Sequence, residues 1–262
     1  MLIPVQWFSN KCINIKQVAS CTLSFVLVVT PAAIADYTPG SGQKPVDPDS
    51  QSSGGTTRGC SGGEMPLTVL ASQNAVGRTS SQHPTFAWFV PDDSASRPIE
   101  FTIYEWVRGG RPTEVRRVSL QSLPGVMALS PFSQNELGLE LGKEYRWQVI
   151  LHCDPDNPST ALVSEASIEI VELPAAVQTQ LNGTADRAEK AEIYAEAGLW
   201  YDALAEALSL AEPSKLGEMG SMLLNDLVEW ESSTTTPELS PQQQEAIAEQ
   251  IETLEKIADL AR

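Results

Sequence analysis

Apolar residues recur with two different periods along the chain, and the period changes near Pro174. Between about residues 60 and 174, short apolar runs of period two alternate with turn residues, which is typical of antiparallel strands. The predicted strands are residues 67–70, 85–90, 99–107, 114–120, 126–129, 144–153 and 162–173. Seven runs at this spacing predict an antiparallel β-sandwich.

The sixth run shows the alternation most clearly. Its alternate residues point to one face, which we expect to be the core: Tyr145, Trp147, Val149, Leu151 and Cys153. Just upstream, the segment from Leu139 to Tyr145 resembles the turn that enters the sixth strand of fibronectin type III domains. In that turn a leucine and a tyrosine six residues apart form a tyrosine corner. The resemblance implies a sandwich of the immunoglobulin or fibronectin type III kind.

After Pro174 the period becomes about 3.6, which predicts an α-helical region over residues 175–262. Residues 191–204 resemble a single tetratricopeptide repeat, in which Gly198 matches the turn between two helices. Further helices are predicted over residues 216–230 and from residue 240 onward. One repeat cannot bury its own faces, so we expect it to pack on the later helices or on the sandwich. The predicted fold class is therefore α+β, with the sandwich over residues 60–174.

Residues 1–35 have the pattern of a secretory signal peptide. Lys11 and Lys16 precede an apolar run over residues 18–34, which ends in the small-x-small pattern of Ala33-Ile34-Ala35. The alternative is an uncleaved membrane anchor, but an apolar core of about 15 residues is short for a span of ~20. We therefore expect an exported protein, periplasmic or extracellular, with no transmembrane span after cleavage.

Residues 36–59 are expected to form a flexible, disordered linker. Of these 24 residues, 15 are Pro, Gly, Ser or Thr, and Val46 is the only aliphatic one. Cleavage after Ala35 leaves two cysteines, Cys60 and Cys153, in the mature chain. In an oxidising compartment such a pair is most simply a disulfide; the alternative is two separate buried thiols.

Charge is unevenly distributed along the chain. The 34 acidic and 17 basic residues give a net charge of −17 and a pI near 4.4, which argues against nucleic acid as a partner. Residues 177–262 hold 17 acidic and 5 basic residues. We therefore expect the acidic helical region and the basic hairpin described next either to contact each other or to bind partners of opposite charge.

A predicted hairpin near residue 110 combines arginines with aromatic residues. Its basic side chains are Arg108, Arg111, Arg116 and Arg117, and Tyr104 and Trp106 precede them at positions that alternate with the apolar ones. Such a group suits a glycan or an anionic partner; the alternative is an edge strand protected by charge. Trp200 and Tyr201 of the repeat-like segment are further candidates for partner binding.

Catalytic patterns are scarce. His83 and His152 are the only histidines, and we predict neither catalytic residues nor a cofactor. Residues 154–157 resemble the start of a calcium loop but lack its glycine and distal glutamate, so a turn between strands is the favoured interpretation. We predict no metal site.

The order of motifs resembles a family of exported cyanobacterial proteins known as a domain of unknown function (DUF928). The matching residues are 59–60, 65–70, 83–91, 145–147, 152–155, 194–195 and 198–204. The resemblance implies an exported location and the pairing of Cys60 with Cys153, but it implies no activity, cofactor or substrate.

The leading functional hypothesis is a non-catalytic, exported protein–protein interaction module of the periplasm or cell envelope, with a protein as partner. The alternative is a module that binds a glycan or another envelope component through Tyr104, Trp106 and the arginines. A hydrolase is the third hypothesis.

Overall fold

A computed structural model describes residues 37–40, 43–46, 65–91, 96–107, 110–154, 156–234 and 240–261. All seven predicted strands are found within these residues, together with a short additional strand. The strands are β1 Thr68–Val69, β2 Gly77–Thr79, β3 Phe86–Val90, β4 Pro98–Glu105, β5 Thr113–Gln121, β6 Gly125–Leu129, β7 Glu144–Leu151 and β8 Leu162–Ile170. The helices are α1 Ala175–Gly183, α2 Arg187–Glu196, α3 Trp200–Leu208, α4 Gly217–Ser233 and α5 Pro241–Leu260.

The strands form two sheets. A three-stranded antiparallel sheet has the order β1–β3–β6, and the remaining strands follow the order β2–β8–β7–β4–β5. Every pairing in the larger sheet is antiparallel except that of β2 with β8. The expectation of an entirely antiparallel arrangement is therefore wrong at this edge. Its sequence, Gly77-Arg78-Thr79, has no apolar alternation that would have predicted a strand.

The two sheets face each other across a core rich in aromatic side chains. The ring of Phe86 in β3 lies 5.0 Å, between centroids, from both Phe101 in β4 and Trp147 in β7. Trp88 stacks on Phe101 with a centroid separation of 5.9 Å. All four side chains are fully buried, and such pairs stabilise a core beyond the burial of their area. The predicted alternation of the sixth run is confirmed from Tyr145 to Leu151, since alternate residues of β7 are buried. Cys153, which was predicted to point to the same face, lies after the strand and is half-buried.

Helices α2 and α3 form a helical hairpin whose turn requires a glycine. Asp186 precedes α2 and its side chain accepts a hydrogen bond from the backbone N–H of Ala188 (2.8 Å), which pairs a donor of the first turn. Gly198, in the turn, has a φ of 70°, and a Cβ there would lie 2.6 Å from the backbone nitrogen of Gly40. The left-handed conformation and the close neighbour both exclude a larger residue.

The hairpin packs on the sheets through the first two residues of α3. Trp200 and Tyr201 are each 1% exposed. Trp200 Nε1 donates to the backbone O of Leu70 (2.9 Å). The Tyr201 hydroxyl accepts from Trp147 Nε1 (2.8 Å) and donates to the backbone O of Ser167 (3.1 Å). Both residues belong to the core, and the prediction that they bind a partner is therefore wrong. We call this contact between helices and sheets the seam.

Two buried carboxylates also fasten the helices to loops of the sheets. Asp202 in α3 accepts from the backbone N–H of Ser80 at Oδ2 (2.7 Å). Glu231 in α4 accepts at Oε1 from the hydroxyl of Ser72 (2.6 Å) and from the backbone N–H of Gln73 (2.8 Å). Burial raises the pKa of both carboxyls, that of Asp202 to about 6, although the hydrogen bonds oppose the shift. The seam is thus partly polar.

The described residues before position 47 pack on the seam, contrary to the prediction of a flexible linker over residues 36–59. Tyr37 is 3% exposed, and its ring meets that of Trp200 edge-on at 4.9 Å. Its backbone N–H donates to Asp226 Oδ2 in α4 (3.1 Å). Lys44 forms an ion pair with Glu169 of β8 (2.6 Å). The composition predicted a linker because a single aromatic residue, Tyr37, hardly changes the composition of a segment rich in Pro, Gly, Ser and Thr.

Helices α4 and α5 complete the helical region. The backbone N–H of Leu216, just before α4, donates to the carbonyl of Ala261 after α5 (2.7 Å). Leu223 and Leu227 of α4 and Leu254 and Ile257 of α5 are fully buried. Among the described residues, no helix is long and apolar enough to cross a membrane.

Candidate interaction surface at one end of the sheets

Three loops meet at one end of the two sheets, which we call the loop end. They connect β2 to β3, β4 to β5 and β6 to β7. The register places them together: Glu105 at the end of β4 pairs with Thr113 and Tyr145, and Leu129 at the end of β6 pairs with Phe86. Strand β2 is parallel to β8, and the last residues of both strands lie at the loop end, beside the start of β7.

The β6–β7 loop is held by the β2–β3 loop. The backbone N–H of Leu139 donates to the carbonyl of Gln82 (2.8 Å). Nε2 of His83 lies 3.0 Å from the backbone O of Glu136, and the His83 ring meets Phe132 edge-on at 6.1 Å. These contacts give the loop a defined position on the sheets.

Glu136 ties the same loop to strand β5. Its Oε2 accepts from the backbone N–H (2.7 Å) and the hydroxyl (3.0 Å) of Ser133, and its Oε1 contacts Arg116 Nη1 (3.1 Å). The hydrogen bonds from Ser133, followed by Arg116, lower the pKa of Glu136. The Arg116 guanidinium also lies 5.5 Å from the ring centroid of Phe132. Arg116 therefore joins β5 to the loop.

A second set of ion pairs links the β4–β5 and β6–β7 loops. Lys143 Nζ contacts Glu105 (3.0 Å) and Glu140 (2.8 Å). Four of the eight most exposed large apolar side chains of the described residues lie in or beside these loops, with exposed fractions of 56, 41, 96 and 47%: Val107, Val115, Leu137 and Leu141. Half of these exposed apolar side chains of the described residues are therefore found at the loop end.

The predicted aromatic residues Tyr104 and Trp106 lie beside this surface and are half-buried. The Tyr104 hydroxyl accepts from Gln148 Nε2 (3.0 Å). The Arg146 guanidinium lies 4.1 Å from the ring centroid of Trp106, in a cation–π contact that occupies one face of the indole. Both rings are thus engaged with strand β7.

The predicted arginines differ in their contacts. Arg117 pairs with Glu114 and with Glu100 (2.7 Å), and these hydrogen bonds, above all that with Glu114, raise the pKa of Arg117 above its ordinary value. Arg111 is exposed and forms no ion pair with any residue that the structure describes. Arg108 lies outside the described residues.

The expected contact between the basic hairpin and the acidic helical region is not made by Arg116 or Arg117. The acidic partners of both arginines belong to the sheets and their loops. Neither of these two arginines therefore forms an ion pair with the acidic helical region in the part of the chain that the structure describes.

The other candidate residues have local structural contacts. His83 contacts a carbonyl as described above, and His152 is half-buried just after β7. Asp154 Oδ1 accepts from the backbone N–H of Asp156 (2.9 Å), as in a turn. Within the described ranges, no three His, Cys, Asp or Glu side chains are grouped as a metal site requires. Cys153 takes part in a disulfide; Cys60 lies outside the described residues, so their pairing stays a prediction.

The sequence did not predict the apolar residues of the loop end. In the run from Leu137 to Leu141, leucines occupy alternate positions, yet Leu139 is 1% exposed while Leu137 and Leu141 are on the surface. A leucine at every second position of an otherwise polar loop was the available signal. Only the backbone decides which of the three enters the core.

The chain belongs to the DUF928 family, "Domain of Unknown Function", whose model matches residues 53–237. No curated protein matches the sequence. Among solved structures, two variants of superoxide reductase (neelaredoxin) from Ignicoccus hospitalis are similar at 18% and 17% identity. They cover 41% and 44% of this chain and 81% and 90% of their own, each with a TM-score of 0.25. A likeness this low carries no argument about function.

Proposed function

We propose that this protein is a non-catalytic, exported protein–protein interaction module that binds its partner at the loop end. One observation carries the proposal: loops tied together by Arg116–Glu136 and Lys143–Glu105 display exposed apolar side chains. Leu137, which is 96% exposed, is the foremost of them. Loops held in position before binding lose little conformational freedom on association, which favours affinity.

Two further features support this proposal. The strand order, and the Tyr145 hydroxyl that accepts from the backbone N–H of Glu140 (2.9 Å), favour an immunoglobulin- or fibronectin-III-like sandwich. Loops clustered at one end of such a sandwich are a common place for binding. The signal-like pattern of residues 1–35 and the predicted disulfide of Cys60 with Cys153 favour export to an oxidising compartment.

The glycan-binding alternative has less support. A sugar ring stacks on an open aromatic face, whereas one face of Trp106 is covered by Arg146 and the Tyr104 hydroxyl is bonded to Gln148. The helical region serves as support for the sheets in this proposal, because the aromatic residues at the start of α3 are buried in the seam.

Crosslinking capture from an envelope extract tests the proposal with a matched pair of variants. Leu137→Asp alters the loop end, whereas Leu123→Asp alters a 57% exposed leucine in the β5–β6 turn at the opposite end. We expect a partner captured by the wild-type protein and by Leu123→Asp to be lost with Leu137→Asp. An identical set of captured proteins for both variants contradicts the proposed surface.

A further inference from the structure

We infer that two copies of this protein associate through strand β5, whose free edge pairs antiparallel with the same edge of the second copy. This inference goes beyond the proposed function, because it concerns the edge of a strand and does not depend on the loops. Three observations carry it: the length of the uncovered edge, the direction of its backbone groups, and the side chains that a two-fold axis at Ser119 brings together.

Strand β5 is the longest sheet edge of the protein. It spans nine residues, and within the described ranges it pairs with β4 alone. At the other edge of the same sheet, just before β2, the backbone N–H of Val76 donates to the carbonyl of Lys44 (2.9 Å). In the smaller sheet β1 has two residues, and the backbone N–H of Val126 in β6 donates to the carbonyl of Ser214 (3.0 Å). A long edge without such cover is a template for another strand.

Hydrogen bonds at the end of β5 show which of its backbone groups face outward. The backbone N–H of Ser122 donates to the carbonyl of Arg97 (2.8 Å), so the even-numbered residues from 116 onward face β4. The carbonyl of the next residue, Pro98, accepts instead from the backbone N–H of His152 on the β7 side (3.0 Å), as the alternation of an antiparallel ladder requires. The outward-facing N–H and C=O groups of β5 are therefore those of the odd-numbered residues: Arg117, Ser119 and Gln121.

A two-fold axis at Ser119 pairs these groups with one another. Antiparallel pairing then places Ser119 opposite Ser119 of the second copy, and Arg117 opposite Gln121 of the second copy. In each of these pairs both residues face the other copy, so each pair exchanges two N–H···O=C bonds. A shift of one residue would place outward-facing groups opposite groups that already face β4, and these bonds could not form.

The same register also matches the side chains. Val118 and Leu120 are half-buried and pack against the core between the sheets. With the axis at Ser119, Val118 of each copy lies opposite Leu120 of the other, and burial of these two apolar pairs favours association. On the outer face Arg117 lies opposite an uncharged glutamine. An axis at Arg117 would instead place two guanidinium groups opposite each other, which is unfavourable.

The features that protect an edge strand are confined to the first half of β5. Glu114, Arg116 and Arg117 are charged, and the register shifts at Val115, whereas residues 118–121 contain no charge, proline or bulge. Charged side chains and bulges hinder the pairing of edges, so the second half of β5 is the part that is open to a second copy. The net charge of −17 opposes association, but repulsion between exposed charges is largely screened beyond about 8 Å at physiological salt.

Sedimentation equilibrium of the purified protein over a range of micromolar concentrations tests the inference. Ser119→Pro removes an N–H that β5 does not use in its pairing with β4, and proline is tolerated at such positions of edge strands. Ser119→Ala is the matched control, because it removes the hydroxyl and keeps the N–H. We expect a reversible monomer–dimer equilibrium whose dissociation constant rises about tenfold or more with Ser119→Pro and changes little with Ser119→Ala. Thermal denaturation verifies that each variant folds.

Two charged variants test the position of the axis. Ser119→Asp and Ser119→Lys should each weaken association, because the axis places two like charges directly opposite each other. An equimolar mixture of the two variants should associate again as a heterodimer, which native mass spectrometry distinguishes from either homodimer. An edge that pairs in another register would show no such restoration.

The outcomes are separate from those that test the loop end. Leu137→Asp should leave the dimer intact. A wild-type protein that stays monomeric at all concentrations overturns the inference, and so does a dimer that Ser119→Pro does not weaken. A mixture of the charged variants that fails to associate overturns the two-fold axis at Ser119. None of these results bears on the proposed function, which capture with Leu137→Asp tests by itself.

Discussion

The two aromatic pairs of this protein have the same composition and opposite surroundings. Tyr104 and Trp106 are half-buried beside the loop end, whereas Trp200 and Tyr201 are each 1% exposed in the seam. Both pairs were predicted to bind a partner, Tyr104 and Trp106 because they lie next to arginines, and Trp200 and Tyr201 as part of the repeat-like segment. The comparison shows that the helical hairpin uses its aromatic residues to attach to its own sheets. In the proposed function the partner is therefore bound by the loop end and not by the hairpin.

The largest expected loss of stability is that caused by a substitution in the seam. Trp200→Ala should lower the free energy of unfolding by about 3–5 kcal/mol, because it leaves a cavity and an unpaired carbonyl at Leu70. Trp106→Ala is the matched control and should cost about 1 kcal/mol, mainly its cation–π contact with Arg146. Urea denaturation measures both. Equal losses for the two variants would contradict the division between seam and loop end.

The seam should also make stability depend on pH through Asp202. Burial raises its pKa from 3.8 to about 6 in the folded protein, so the folded state binds the proton more tightly than the unfolded state. The stability that this proton contributes is complete below pH 3.8 and is lost as the pH rises through about 6. The difference is on the order of 3 kcal/mol, at about 1.4 kcal/mol per pKa unit.

Asp202→Asn removes this titration and keeps an acceptor for the backbone N–H of Ser80. The substitution should therefore destabilise the protein more at pH 4 than at pH 7, when unfolding free energies are compared at both values. A cost that does not change with pH would show that the carboxyl of Asp202 titrates normally.

Most strands could be predicted from the sequence, whereas the contacts of the seam could not. Alternation in β7 predicted its buried face because each residue there either enters the core or faces outward. Strand β2 and residue Tyr37 gave no comparable signal, since their place depends on partners distant in sequence, Ile168 for β2 and Trp200 for Tyr37. Only part of the loop end could be predicted. Its arginines are close together in the sequence, but the exposure of Leu137 depends on the backbone of its loop, which Gln82 and His83 hold in place.

A smaller effect is expected from the hydroxyl of Tyr201. Tyr201→Phe keeps the ring but removes the acceptor for Trp147 Nε1, which is fully buried. An unpaired buried donor costs about 1–3 kcal/mol. Tyr104→Phe removes a single hydrogen bond from Gln148 at a half-buried site and should cost less. Thermal denaturation of the two variants ranks them, and a larger loss for Tyr104→Phe would contradict the comparison.

The smallest effect on stability is expected at the loop end itself. Leu137→Ser replaces a side chain that is 96% exposed, so the free energy of unfolding should change by no more than about 0.5 kcal/mol. Leu139→Ser, two residues along the same loop, replaces a side chain that is 1% exposed and should destabilise the protein markedly. Calorimetry of the two variants shows whether Leu137 contributes to folding. A marked loss of stability for Leu137→Ser would mean that this leucine packs against the protein itself. Leu137 would then not be available to contact a partner, which would contradict the proposed function.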